Sequence, residues 1–127
     1  EFFKFMIRFR NRHAVIRRNL ETSTQGFPPV STHGNMPWKQ TYEWESKLVG
    51  VMFAGKDKKS QKDDIVYAAF NAYWEEQTIT LPTLSGHAVW RLVVDTFAEP
   101  VILSKKKIID GTLRMGPRSA VVLTVES

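Results

Sequence analysis

Residues 65–72, IVYAAFNA, are apolar almost throughout, yet the run is only eight residues long. A bilayer crossing needs roughly 20 such residues, so this run is no membrane span. A strand with one covered face alternates apolar and polar side chains, because neighbours along a strand point to opposite sides. A strand without that alternation is expected at the centre of a sheet, covered on both faces. The chain must therefore supply material to both sides of one sheet.

Shorter strand-like runs accompany it, at residues 30–33, 47–54, 78–81, 89–95, 107–110, 112–115 and 120–125. Two of them alternate. Ile79 and Leu81 share one face, and Trp90, Leu92 and Val94 lie opposite Arg91 and Asp95. Turn-forming stretches separate the runs: GKDKKSQKDD, LPTLSG, DG and GP. Residues 21–37 are rich in Ser, Thr, Gly and Pro and read as loop with one short strand.

Only residues 2–13 follow a helical period. Phe2, Phe5, Met6, Phe9 and His13 fall on one stripe, which Phe3 and Ile7 widen. Lys4, Arg8 and Arg12 form a separate basic stripe. No N-cap residue precedes the helix, which reads as a start inside or just before it. The expected fold is mainly β: an antiparallel β-sandwich of about seven to eight strands, Greek-key-like, preceded by one N-terminal α-helix.

The net charge of +5 suggests a nucleic-acid partner only until it is located. Residues 1–20 hold six basic residues against Glu1 alone, a balance of +5, whereas residues 21–127 hold twelve of each sign. The body has no overall field to steer a polyanion, so no nucleic-acid partner is expected, and no membrane partner either. The chain has no cysteine, which removes disulfides, zinc–thiolate sites and cysteine nucleophiles. It fits a cytoplasmic location, which is the expected one.

Few residues carry a catalytic pattern. Asp63–Asp64 and Glu75–Glu76 are adjacent pairs, and adjacent residues on a strand diverge, so neither pair converges on one substrate. Both pairs read as solvated turn charges. His13, His33 and His87 lack ligand spacing. Residues 57–64 lack the order of an EF-hand. No glycine-rich phosphate loop and no G-x-S-x-G elbow occur, and Gly111 and Gly116 read as turn glycines. No catalytic residue, metal or cofactor is expected.

The aromatic cluster Met36, Trp38, Tyr42 and Trp44 lies in a loop, where exposed rings need a reason. Tyr73 and Trp74 pose the same question. Such residues either pack on the sandwich or a neighbouring domain, or stack on sugar rings. Trp38, Tyr42, Trp44 and Trp74 are thus the candidate sugar contacts.

Five segments resemble one family. AAFNAYWEEQTITLP at residues 68–82 resembles the F-N-A-Y-W-E-P segment of the C-terminal domain of isoamylase-type and glycogen-debranching enzymes, members of the α-amylase superfamily. FMIRFRNRHAVIRR is similar to the last helix of their catalytic (β/α)8 barrel, and STHGNMPWKQTYEWES to the start of their C-terminal sandwich. WRLVVDT and GPRSAVVL match the family's W-x-x-V-V-D-T and P-R-S-x-V-V-L. Ala14, Thr32 and Glu43 stand where the family usually has proline, tryptophan and aspartate.

The resemblance implies a division into residues 1–20, the last barrel helix, and residues 21–127, the C-terminal sandwich. It also implies a parent enzyme that hydrolyses α-1,6 branch points in glucans. The parent's catalytic carboxylates sit on barrel strands upstream of Glu1, so none is carried over to this chain. The implied role is packing on the parent barrel and stabilising it, with the barrel in cis as partner. Phe2, Phe5, Met6 and Phe9 are the expected barrel-interface residues. The alternative role is a glucan-binding module using the loop aromatics, with α-glucan as partner. The broad apolar helix also predicts self-association, with residues 2–9 packed partly on the sandwich and partly on a second copy.

Overall fold

The computed structural model describes residues 2–16, 23–34, 38, 48–57, 60–98 and 101–126, without the side chains of Phe2, Ala14 and residues 103–107. One helix, α1 (Phe2–Arg12), leads through a 3-10 turn (Ala14–Ile16) to eight strands. These are β1 (Val30–His33), β2 (Leu48–Lys56), β3 (Asp63–Asn71), β4 (Gln77–Thr80), β5 (Val89–Asp95), β6 (Ile102–Ile109), β7 (Thr112–Met115) and β8 (Ser119–Glu126). The expected domain boundary between residues 20 and 21 lies outside the described residues.

The strands form a six-stranded sheet, in the order β1-β2-β3-β8-β5-β6, and a two-stranded sheet of β4 and β7. Every pairing is antiparallel. The chain leaves the large sheet for β4 and again for β7, and its last strand returns to the middle between β3 and β5. This is the expected sandwich with sheets of unequal size. Gly111, at φ 84°, makes the turn that carries the chain from β6 in one sheet to β7 in the other. Only glycine adopts that region without steric cost.

The sequence places β3 centrally and covers both its faces, and the structure does the same. Its register with β2 sets Tyr67 opposite Met52, and its register with β8 sets Tyr67 opposite Leu123. Ile65, Tyr67 and Ala69 therefore point into the space between the sheets. There they join Met52, Trp90, Leu92, Val121 and Leu123 from the large sheet and Ile79 and Met115 from the small one. Val66 points the other way and joins a second core with Phe9, Val15 and Val94, flanked by Phe5, Met6, Phe53 and Val122. The helix is the cover on that outer face.

Two polar contacts fix the helix end. His13 Nδ1 lies 2.5 Å from Asp64 Oδ1, and the Val15 N–H donates to Asp64 Oδ2 at 3.3 Å. The Phe9 ring packs on the His13 ring, 4.3 Å between centroids. The neighbouring Asp63 turns to the opposite side and accepts from both the backbone N–H, at 2.8 Å, and the hydroxyl of Thr24. The reading of Asp63 and Asp64 as solvated turn charges is thus corrected: both are half-buried at the start of β3. Their divergence, which excludes a catalytic pair, lets each hold a different segment.

Tyr67 is fully buried, and its hydroxyl finds no partner among the described residues. Burial pushes its pKa up to about 12. The hydroxyl occupies the position that a side chain on Gly50 would need, with the ring carbon Cζ at 2.8 Å from it. Gly50 is therefore required for space.

Replacing Gly50 by alanine is expected to destabilise the fold by about 1–3 kcal/mol, as forced overpacking does. Tyr67→Phe removes a buried hydroxyl without a partner, and urea unfolding should find it neutral or stabilising. The folded state holds the Tyr67 proton to a higher pH than the unfolded state, whose tyrosine titrates near 10. Stability is therefore complete below pH 10 and falls as pH rises towards 12, by about 1.4 kcal/mol per unit. That part of the alkaline loss should vanish in Tyr67→Phe, as judged by melts of both proteins across this window.

A double-mutant cycle tests the other anchor. Asp64→Ala should cost about 1–2 kcal/mol through the unpaired Val15 N–H and His13 ring. Its coupling with His13→Ala should exceed about 0.5 kcal/mol. A coupling near zero would mean that apolar packing alone holds the helix.

Candidate functional site

The surface with the clearest unmatched chemistry lies beside α1 on the outer face of the large sheet. The helix carries one broad apolar stripe, only part of which the sheet covers. Phe9 is 3% exposed against the sheet, with Phe5 and Met6 partly buried next to it. Phe3 and Ile7, at the open edge of the same apolar stripe, are 81% and 61% exposed. Between helix and sheet runs an apolar groove of about 380 Å3, lined by Phe3, Met6 and Ile7 on one side and Phe53, Val66 and Val122 on the other. Phe70, on the outer face of β3, adds another exposed ring. A single exposed apolar residue needs no explanation, but a helix side and a groove together mark a contact surface.

Of the residues expected to face a barrel, Phe5, Met6 and Phe9 lie against the sandwich, and the side chain of Phe2 is not among those described. The open positions are Phe3 and Ile7, which the sequence reading only used to widen the stripe. The difference follows from β3. Its outer face needs a cover, and the nearest apolar element in the chain supplies its strongest stripe to that need. Lys4, Arg8 and Arg12 are exposed, as a basic stripe opposite the apolar one requires.

Of the candidate glucan contacts, Tyr42 and Trp44 lie outside the described residues. Trp38 sits in a left-handed turn, at φ 67°, and its backbone N–H donates to His33 Nδ1 at 2.8 Å. Its ring packs edge-on to Phe27, 5.3 Å between centroids, and tilted on His33, 4.7 Å away. It remains half-exposed. His33 itself is fully buried, and burial lowers its pKa. Nδ1 accepts from Trp38, so the proton of the neutral ring sits on Nε2, 2.8 Å from the Ser31 hydroxyl. His33 is thus a framework residue.

Trp74 is in a different place. It lies after β3 with Tyr73, the two rings 5.5 Å apart, and is 62% exposed. Trp38 and Trp74 are not brought together by any ring contact among the described residues. Phe97 is exposed to the same degree, and its ring lies against Gly116 at the start of the turn at residues 116–118. The sequence gives no sign of it beyond the glycine at position 116. Glu76 pairs with Arg114 at 2.9 Å across β4 and β7, which accounts for one of the adjacent glutamates structurally. Among the described residues, no three His, Asp or Glu side chains are placed to hold a metal ion. Among the described residues, no helix is long and apolar enough to cross a membrane.

A protein-family model described as Isoamylase 1-3, C-terminal, matches residues 31–108, a stretch that runs from β1 to β6. No curated protein matches the chain. The family match covers more than half of the 127 residues and coincides with the sandwich rather than with the helix. The chain therefore belongs to the isoamylase 1-3 C-terminal family, the non-catalytic C-terminal domain of an isoamylase-type enzyme.

Proposed function

We propose that this domain serves a glucan-debranching hydrolase, one that cleaves α-1,6 branch points, by seating its catalytic barrel through α1. One observation carries this reading. The helix buries Phe9 on the sandwich and leaves Phe3 and Ile7 open at the rim of an apolar groove. A helix whose apolar stripe is broader than one contact covers suits a position between two bodies. The sandwich is one of them, and the catalytic barrel of an isoamylase-type enzyme is the natural second. Burying each large apolar side chain contributes roughly 1.5–3 kcal/mol, so covering Phe3 and Ile7 stabilises both partners together.

The domain does no chemistry in this reading. Asp63, Asp64 and Glu76 are tied to Thr24, to His13 with Val15, and to Arg114. Asp63 and Asp64 diverge to these different segments, so the two carboxylates do not converge on one substrate as a general acid and base would. The contribution to catalysis is indirect: a barrel whose last helix is clamped on both sides holds its active-site loops more firmly. In the absence of the barrel the same open side favours a second copy of the chain.

Phe3→Glu/Ile7→Glu tests the proposal in two settings. In the 127-residue chain both positions are exposed, and the unfolding free energy should stay within the change typical of surface sites, about 0.5 kcal/mol. In the enzyme carrying this domain behind its barrel, the same pair should shorten the half-life of debranching activity on heating. Equal behaviour of variant and parent enzyme would show that the barrel sits elsewhere. The 127-residue chain should release no reducing ends from pullulan or glycogen above a buffer control.

A further inference from the structure

We propose that His33 is an acid-operated latch: in its neutral form it holds the Trp38 turn against the end of β1, and on protonation it lets that turn go. The latch is independent of the helix groove and of the barrel.

The two ring nitrogens have different tasks. Nδ1 accepts the Trp38 N–H at 2.8 Å, and Nε2 lies 2.8 Å from the Ser31 hydroxyl. A neutral imidazole offers one acceptor and one donor, and both are in use here. An imidazolium has two donors and no acceptor. Protonation would place an N–H at Nδ1 facing the N–H of Trp38, so the contact that holds the turn becomes a repulsion between two donors. Ser31 meets no such conflict, because its hydroxyl can accept as well as donate.

The held turn is poised to move. Trp38 has φ 67°, a left-handed conformation that a bulky residue keeps only where its surroundings hold it. Those surroundings are His33, which its ring meets at a tilt, and Phe27, which it meets edge-on. The rest of the side chain is open, at 46% exposure. β1 is only four residues long and lies at the edge of the large sheet, beside β2. Opening there disturbs few of the contacts that hold the core.

The surroundings of the ring supply no counter-charge. His33 is fully buried. Its own strand contributes Ser31, β2 places Gly50 opposite it, and β3 brings the Tyr67 ring, 5.4 Å between centroids. Trp38 covers a further side. Tyr67 is the one titratable group among these, and with its pKa pushed up to about 12 it is neutral across the acid range. Among the described residues, no carboxylate pairs with His33. Burial accordingly lowers the pKa of His33. The latch is therefore closed above the pH at which an unfolded histidine titrates, about 6.5, and its stabilising effect is lost as the pH falls below that value.

Nuclear magnetic resonance of the 15N-labelled 127-residue chain tests this. At neutral pH the His33 ring should show the Nε2–H tautomer. As the pH is lowered, the Trp38 amide should lose protection against hydrogen exchange, after correction for the intrinsic rate. The loss should be roughly tenfold per pH unit from about 6.5 down to the midpoint of the folded ring. The Trp90 indole N–H, which donates to Pro82 O at 3.0 Å in the core, should keep its protection over the same range. His33→Gln retains an acceptor for Trp38 and a donor for Ser31 but does not titrate, so its Trp38 amide should stay protected throughout. An Nδ1–H tautomer at neutral pH would overturn the proposal. So would Trp38 protection that ignores pH, an equal acid response in His33→Gln, or loss at Trp38 and Trp90 together, which is global unfolding. The tautomer and the comparison of Trp38 with Trp90 are read in the unsubstituted chain, and they decide the matter even if His33→Gln fails to fold.

Discussion

A central strand with two apolar faces is the constraint on which the rest of this domain depends. β3 sends Ile65, Tyr67 and Ala69 inward and Val66 outward, and its neighbour β8 sends Val121 and Leu123 inward and Val122 outward. A two-stranded sheet covers the first side and a helix covers the second. Apolar area left open to water costs roughly 25 cal/mol per Å2, so neither cover is optional. The helix is therefore part of the domain's fold as much as it is a handle for a partner. This dual role explains why α1 has more apolar residues than one contact needs.

The polar contacts at the edges turn that covering into a defined geometry. Apolar packing is non-directional and fixes a helix only loosely along its groove. Asp64, holding His13 and the Val15 N–H, sets where the helix stops and which turn faces the sheet. Asp63 does the same for the loop at Thr24 on the other side. Asn71 plays this part at the far end of the same strand, joining the loop after β3 to the turn before β8. Each end of β3 thus carries a polar anchor, while the strand between them is apolar.

Much of this is legible in the sequence, because period is a direct image of burial. The helix, the central strand and six further strands stand within a few residues of where their patterns place them. The exception is β6, which reads as residues 107–110 but starts at Ile102. Three consecutive lysines interrupt its apolar pattern, and the strand lies at the edge of its sheet, where charges are tolerated and discourage further pairing. The site was less legible. Asp63 and Asp64 sit beside a lysine-rich turn and look solvated, since their partners are distant in sequence, 39 to 51 residues away. Phe97 has no pattern at all. What marks it is the empty space above Gly116, and a sequence records a glycine without recording what fills its missing side chain.

The same point separates the two exposed apolar regions of the molecule. A helix side left open, as at Phe3 and Ile7, is a matter of how much apolar area one element carries, and periodicity measures that. A ring laid on a glycine is a matter of tertiary approach between β5, β7 and β8, which no local pattern measures. The first kind of surface is continuous and apolar, and it gains most from a large partner that excludes water along its whole length. The second consists of rings on backbones that are already tied. The two surfaces thus differ in stiffness and extent, and both differences trace to the two ends and two faces of β3.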